Sequence, residues 1–295
     1  MKAGSFEYRR ARSVDEALAL LARHGDGARL IAGGQSLVPA LNLRLATPDM
    51  LIDIAAIDSL RGVQVLCRDG VPRLRIGALT RHADIERSPD IARHAPLLRR
   101  AVEHVAHAAI RNRGTFGGSI AHADPASELP ACALALDATM HVTGADGARA
   151  IAARDFFLGL HETAIRPGEI LLAVELDCIR EGWRSGFAEL ARRQGDYAIV
   201  GLAAHGRPMP GRRRFQAIAL AYFSVGAASV LAHAAAAALV DGDAEDGARL
   251  TAAREALASD LDPPGDPQAS AALRMHLCRV LLGRVTDQML AGHDA

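Results

Sequence analysis

The sequence predicts an α+β protein in two parts. Two observations carry that reading: short strand patterns alternate with helical ones as far as about Leu176, and beyond Trp183 the texture changes to longer strand segments followed by Ala-rich helices. A chain of 295 residues has the length for two domains and a large buried core. The boundary is expected in the polar link Leu176–Trp183, giving domains over 1–178 and 179–290, and no internal repeat cuts across it.

In chain order, a strand is expected at Phe6–Tyr8, then a helix opened by Ser13. Glu16 three residues later makes a capping-box pattern, and Ala17, Leu18, Leu20 and Leu21 supply the buried face. "ARLIAG" reads as a short buried strand, "MLIDI" (50–54) as another, and "RLRIGAL" (73–79) alternates at period two. From Ile85 to Ala109 the pattern is helical, with Pro96 breaking it. "ALALDATMHVTG" and "EILLAVEL" (169–176) have strand or buried character, and "GFAELARRQGDYAIVGLAA" and "FQAIALAYFSVGA" read as strand-bearing segments. Helices follow at about 227–240 and 245–258, then a Pro/Gly linker (262–268). A last helix is expected over 270–290, with Leu273, Leu277, Val280 and Leu281 on its buried face.

Composition excludes several classes. Lys plus Arg and Asp plus Glu both number 34, so the basic excess of a nucleic-acid binder is missing, and Arg212–Arg214 reads as a solvated loop. No apolar run reaches the roughly 18–20 residues of a membrane span, the Ala-rich Val225–Val240 included. "MKAGSFEYRRARS" lacks a signal-peptide core, so a cytoplasmic chain is expected. Cys67, Cys132, Cys178 and Cys278 are scattered without a C-x-x-C pair, so buried free thiols are expected and no metal site of this chain's own.

Two glycine-rich turns stand out, "IAGGQSLVPALNLRL" from Ile31 and "RNRGTFGGSIAHADPASELPA" (111–131). Glycine permits positive φ and removes the Cβ that keeps a ligand from the main chain. Gly33, Gly34, Gln35 and Ser36, and again Thr115, Gly117, Gly118 and Ser119, make candidate nests for an anion, each with hydroxyls beside it. Taken singly, either turn is also plain turn chemistry. The P-loop pattern, G-x-G-x-x-G and G-x-S-x-G are all absent.

"AGGQSLVPALNLRLATP" (32–48) and "IRNRGTFGGSIAHADPASELPA" (110–131) closely resemble the paired signatures of the medium, FAD-binding subunits of molybdenum hydroxylases, the aerobic carbon monoxide dehydrogenase and xanthine dehydrogenase family. The likeness also takes in "RIGALTRH", "ARDFF" and "ARRQGDYAIVG", and so covers about the first 205 residues. It implies a two-subdomain FAD-binding domain of the vanillyl-alcohol oxidase (PCMH) type followed by a smaller α+β domain. It further implies that Ala32, Gly33, Gly34, Gln35, Ser36 and Leu37, with Thr115, Phe116, Gly117, Gly118 and Ser119, hold the FAD diphosphate through backbone N–H groups. By the same resemblance Asp124 accepts hydrogen bonds from the flavin's sugar-like chain, and Arg193, Asp196 and Tyr197 lie near the isoalloxazine. Three departures stand beside it. Phe116 replaces a smaller aliphatic residue, Ala108–Ala109 replace a Pro-Gln pair, and "AYFSVGAASVLA" replaces a stretch richer in Gly and Pro.

The resemblance implies electron transfer: a molybdopterin-containing large subunit oxidises the substrate, a small subunit relays single electrons through [2Fe-2S] clusters, and this subunit's FAD delivers them to NAD, quinone or oxygen. No residue is expected to act as general acid or base. His104 and His107 read as surface or capping histidines, and Trp183 as a packing residue at the domain link. His122 has two open roles, bonding a flavin or adenine edge or stabilising its turn. Two alternatives of other classes remain: a free-standing FAD oxidase or reductase with its own substrate pocket, and a non-enzymatic scaffold with purely structural glycine turns.

Overall fold

The computed structural model describes residues 2–240 and 246–291. The chain begins with β1 (Glu7–Arg10), α1 (Val14–His24), β2 (Ala28–Ile31), α2 (Leu37–Asn42) and β3 (Met50–Asp53). These strands form a parallel sheet in the order β1-β3-β2. The central β3 is the one buried throughout its length, as its run of apolar residues requires. Ser13 caps α1 by accepting from the Glu16 amide at 3.1 Å, while the Glu16 carboxylate accepts from the Arg12 amide at 2.8 Å. The reciprocal bond therefore lands one residue before the cap.

Next come β4 (Val63–Arg68), β5 (Val71–Gly77), α3 (His82–Arg87), α4 (Pro89–His94), α5 (Pro96–Val102), α6 (Ala108–Arg111), α7 (Phe116–His122) and α8 (Glu128–Ala135). They are followed by β6 (Thr139–Gly144), β7 (Gly147–Ala152), α9 (Ala153–Phe156), β8 (Phe157–Gly159), β9 (Glu162–Thr163) and β10 (Ile170–Asp177). Five of these strands pair antiparallel in the order β4-β5-β10-β6-β7, and β8-β9 form a separate hairpin. Leu74 and Ile76 point into the core from β5, as the alternation demands. Strand β4 has no counterpart among the expected elements. It reaches β5 through Asp69 and Gly70, both at positive φ (52° and 77°), a two-residue hairpin turn whose Asp-Gly signal the sequence does carry.

Two expectations are refined here. "ALALDATMHVTG", expected as strand or buried, divides: Ala133–Ala135 end α8, all eight residues of which are buried, and Thr139–Gly144 form β6; periodicity does not separate a buried helix from a buried strand. The helical stretch from 82 to 102 breaks at Pro89 as well as Pro96, and each proline opens a new helix at its first turn.

The remaining elements are β11 (Arg184–Leu190), β12 (Val200–Pro208), β13 (Phe215–Phe223), β14 (Val230–Leu231), α10 (His233–Val240), α11 (Asp246–Asp260) and α12 (Ala271–Ala291). The four strands make an antiparallel sheet in sequential order. One face, with Phe187, Ala203, Ala221 and Phe223, joins the core around α5 and α8; the other, with Leu202, Leu220 and Tyr222, packs on α10–α12. The helix expected over 227–240 yields its first residues to β14, and the start of the next, at Glu245, lies outside the described residues.

The buried face of α12 also differs from expectation. Leu273 is 44% exposed, and the core side is Arg274, Cys278, Leu281, Leu282, Val285 and Met289. Arg274 turns inward, where it bonds the Ile199 and Ser224 carbonyls and pairs with Asp266, so a charged residue lies on the buried face. Trp183 stacks on His205 at a centroid distance of 5.0 Å, with Arg180 over its ring.

Candidate functional site

A cleft of about 1020 Å³ runs between the β2–α2 turn on one side and α7, the β8–β9 hairpin and the start of β10 on the other. Its volume is at the top of the ordinary range for ligand pockets, about 300–1,000 Å³, so it suits a long ligand. Ala32, Gly33, Gly34, Gln35, Ser36 and Leu37 line it, as do Thr115, Gly117, Gly118, Ser119, Asp124, Asp196 and Tyr197. Two of the expected residues do not. Phe116 is fully buried in the central core, and Arg193 is exposed away from the cleft wall.

The first turn leaves β2 and enters α2. Gly34 holds φ 73°, a left-handed value that glycine takes without strain. Its carbonyl accepts from Val38 N–H at 3.0 Å, and the Gln35 side chain donates to the Gly33 carbonyl at 3.0 Å. Among the described residues the N–H groups of Gly33, Gly34, Gln35 and Ser36 donate no hydrogen bond. Four consecutive uncommitted amides in a cleft wall are donors for an anion. A Cβ on Gly33 would run into the Arg113 carbonyl and sit 2.8 Å from Gly114 Cα, so this glycine is required by the second turn itself.

The second turn is built differently. Thr115 is the N-cap of α7, and its hydroxyl accepts from Gly118 N–H at 3.1 Å. Phe116 N–H donates to the Thr80 carbonyl and Gly117 N–H to the Ala78 carbonyl, both at 2.8 Å, while Ser119 N–H donates to the Thr115 carbonyl at 3.1 Å. All four amides from 116 to 119 are thus engaged within the protein. The expectation of two equivalent nests gives way to one turn with open donors and one that braces it. Gly117 is tight because a Cβ there would lie 2.7 Å from the Ala78 carbonyl oxygen.

His82, which sequence reasoning passed over, holds this brace. Its Nε2 lies 3.0 Å from both the Thr115 carbonyl and Ser119 Oγ; the carbonyl only accepts, so Nε2 carries the proton. Burial depresses its pKa to about 4, which keeps the ring neutral. Beyond α7, Asp124 Oδ1 accepts from Ala126 N–H at 2.9 Å. Desolvation, and then Asp124 beside it, push the Tyr197 hydroxyl up to about 12.

Glu128 at the start of α8 was also missed. It lines the cleft at 8% exposure, and burial, reinforced by the Glu189 and Asp124 charges, raises its pKa to about 8. His104, 3.3 Å from Glu189, is raised by that contact. Ser127 before it was a readable N-cap signal; the burial was not readable. His122 and Asp124 meet His161 from the β8–β9 turn, so that one nitrogen or oxygen from each lies within 4.8 Å of the others. A second cavity of about 220 Å³ adjoins Gly33 and Thr115 and is lined by Arg61, Arg81 and Arg113. Open amides beside guanidinium groups are suited to a diphosphate, and the length of the main cleft to a dinucleotide.

Residues 4–176 match the family described as the FAD binding domain in molybdopterin dehydrogenase, and residues 185–289 the CO dehydrogenase flavoprotein C-terminal domain. The chain is 45% identical over 204 residues to the 6-hydroxypseudooxynicotine dehydrogenase complex subunit alpha of Paenarthrobacter nicotinovorans, covering 69% of this chain and 68% of that one. It is 39% identical over 198 residues to the carbon monoxide dehydrogenase medium chain of Hydrogenophaga pseudoflava, covering 67% and 68%. Among solved structures, a chain of carbon monoxide dehydrogenase from Hydrogenophaga pseudoflava superposes with a TM-score of 0.93 at 34% identity, over 99% of both chains. A chain of quinoline 2-oxidoreductase from Pseudomonas putida 86 does so with a TM-score of 0.90 at 35% identity, over 100% of both. An α+β fold of this type, a cleft with open amides at its glycine turn and these matches together place the chain among the FAD-binding medium subunits of the molybdenum hydroxylase-type oxidoreductase complexes.

Proposed function

We propose that this subunit is the outlet of its complex: its FAD takes electrons from the [2Fe-2S] clusters of a small partner subunit and passes them to an external acceptor. A molybdopterin-containing large subunit would oxidise the organic substrate. FAD suits that junction because it exchanges electrons singly or in pairs. The observation that carries the reading is the cleft at the first glycine turn, whose uncommitted amides at 33–36 are available to a diphosphate. The names of the relatives, a complex subunit and a medium chain, support a place beside other subunits.

Within the cleft, Gly33–Ser36 would bind the diphosphate, and Thr115, Gly117, Gly118 and Ser119 would shape the wall against which it lies. Asp124 would accept from the sugar-like chain, with Asp196 and Tyr197 at the rim. The division into 1–178 and 179–290 belongs to the same reading, supported by the polar link between β10 and β11. So does a cytoplasmic location; among the described residues no helix is long and apolar enough to cross a membrane.

The test is to isolate the chain from its native host with whatever it binds, and to measure molybdenum, iron and flavin. Co-purification of two further subunits with both metals, and bleaching of the flavin band only when the iron–sulfur subunit is present, are the expected results. Rapid oxidation of an organic substrate by this chain alone would overturn the proposal. Separate assays with NAD, a quinone and oxygen identify the acceptor.

A further inference from the structure

We propose that His122, Asp124 and His161 form a site for a divalent transition metal of the zinc class in the flavin-free chain, and that metal and FAD exclude one another there. His122 ends α7, Asp124 follows it, and His161 comes from the β8–β9 turn, so two separate elements converge to put one ligand atom of each within 4.8 Å of the others. The two imidazoles are stacked, with centroids 4.4 Å apart and planes at 23°, so the His122 ring must turn for both in-plane lone pairs to meet at one metal. His161 Nδ1 is 3.1 Å from the His122 carbonyl oxygen. A carbonyl only accepts, so Nδ1 holds the proton and the Nε2 lone pair of His161 is left for a ligand. That is the outer contact which commonly fixes a metal-binding histidine.

Zinc bonds of about 2.0–2.2 Å place tetrahedral ligands about 3.4 Å apart, so the three atoms need to close by no more than about 1.4 Å. His161 is exposed on a hairpin turn, where a small shift of the turn supplies such a movement while Nδ1 keeps the His122 carbonyl. Two imidazoles with one carboxylate select zinc, cobalt, nickel or copper over calcium and magnesium, which prefer all-oxygen sets. Three protein ligands leave a fourth position for water.

All three residues line the main cleft. Asp124 Oδ1 already accepts from Ala126 N–H, so a metal on the other carboxylate oxygen competes with flavin hydroxyls for it, and the metal with its water occupies part of the wall. The exclusion half of the proposal rests on the assignment of Asp124 to the flavin. It makes metal a brake on flavin loading, and flavin a guard against metal.

The experiment titrates untagged, flavin-free full chain with cobalt chloride and with zinc chloride, by visible spectroscopy and calorimetry, for wild type, His122→Ala and His161→Ala. One equivalent is expected to bind wild type, with the visible bands of tetrahedral cobalt, and each substitution is expected to weaken binding by at least about tenfold. FAD is then titrated with and without zinc. Zinc at 100 times its wild-type Kd should raise the apparent FAD Kd about 100-fold in wild type and by about tenfold or less in His161→Ala. Absence of metal binding, or binding undiminished in both variants, overturns the site. An unshifted FAD Kd in zinc-loaded wild type overturns the exclusion while leaving the site standing. Failure of wild type to take FAD even without metal would instead sink the flavin reading and the exclusion with it, while the metal titration still decides the site.

Discussion

"AGGQS" and "TFGGS" have nearly the same composition, and the fold uses them in opposite ways. The first leaves the N–H groups of residues 33–36 uncommitted in the cleft wall, whereas the second spends those of residues 116–119 on Ala78, Thr80 and Thr115. Their glycines differ accordingly. Gly34 is needed for its φ of 73°, while Gly33 and Gly117 are needed because backbone from elsewhere in the chain comes too close for a Cβ. A ligand-facing turn and a load-carrying turn can thus share one sequence pattern. Hydrogen-bond accounting separates them: the half-buried to exposed amides of residues 33–36 are left to water or a ligand, whereas those of residues 116–119 are satisfied within the chain.

The sharpest way to break this contrast is Gly33→Val. The side chain would drive the turns apart at Arg113–Gly114, so loss of bound flavin and about 3 kcal/mol of stability are expected, read by flavin absorbance and urea denaturation. Flavin content and unfolding midpoint both at wild-type values would show that the turns are not braced against each other.

Glu128→Gln probes the wall beyond the second turn. The folded carboxyl titrates near 8 instead of its ordinary 4.5. Between those values the unfolded chain releases a proton that the folded chain keeps, so stability falls as pH rises through this window. The glutamine variant should be the more stable at pH 8, on the order of a few kcal/mol, with the gap closing toward pH 5. A pH-independent gap would mean that Glu128 is not held protonated.

Asp124→Ala should weaken FAD binding by about 1–3 kcal/mol with little change in unfolding midpoint. Equal affinities in the two proteins would remove Asp124 from the flavin site. The smallest effect is expected from Thr115→Val, which loses the cap on Gly118 N–H: about 1 kcal/mol of stability, with flavin retained. If flavin were lost without a stability change, the second turn would be a ligand contact after all, and the contrast between the turns would fall.

Much of the fold was legible because its signals are local. Ser13 with Glu16 announced α1, alternation announced β5, and unbroken apolar residues announced β3 and β10. What failed did so where two conformations share one pattern, as in α8, or where a charge found buried partners, as Arg274 did on α12. In the cleft, the turns were legible from glycine chemistry and from their paired resemblance. His82, Glu128 and His161 were not, because each acquires its surroundings from residues far along the chain.

By itself the sequence determined the α+β class, the two glycine turns, their order and the family they signal, since caps, periodicity and turn chemistry all act over a few residues. Only the tertiary structure decided which turn keeps its amides open, which residues wall the cleft, and that two histidines and an aspartate meet at its edge. The physical reason is that hydrogen-bond partners and burial are properties of neighbours in space. The carbonyls of Ala78 and Thr80, which turn "TFGGS" from a nest into a brace, lie in a different segment of the chain from the glycines they hold.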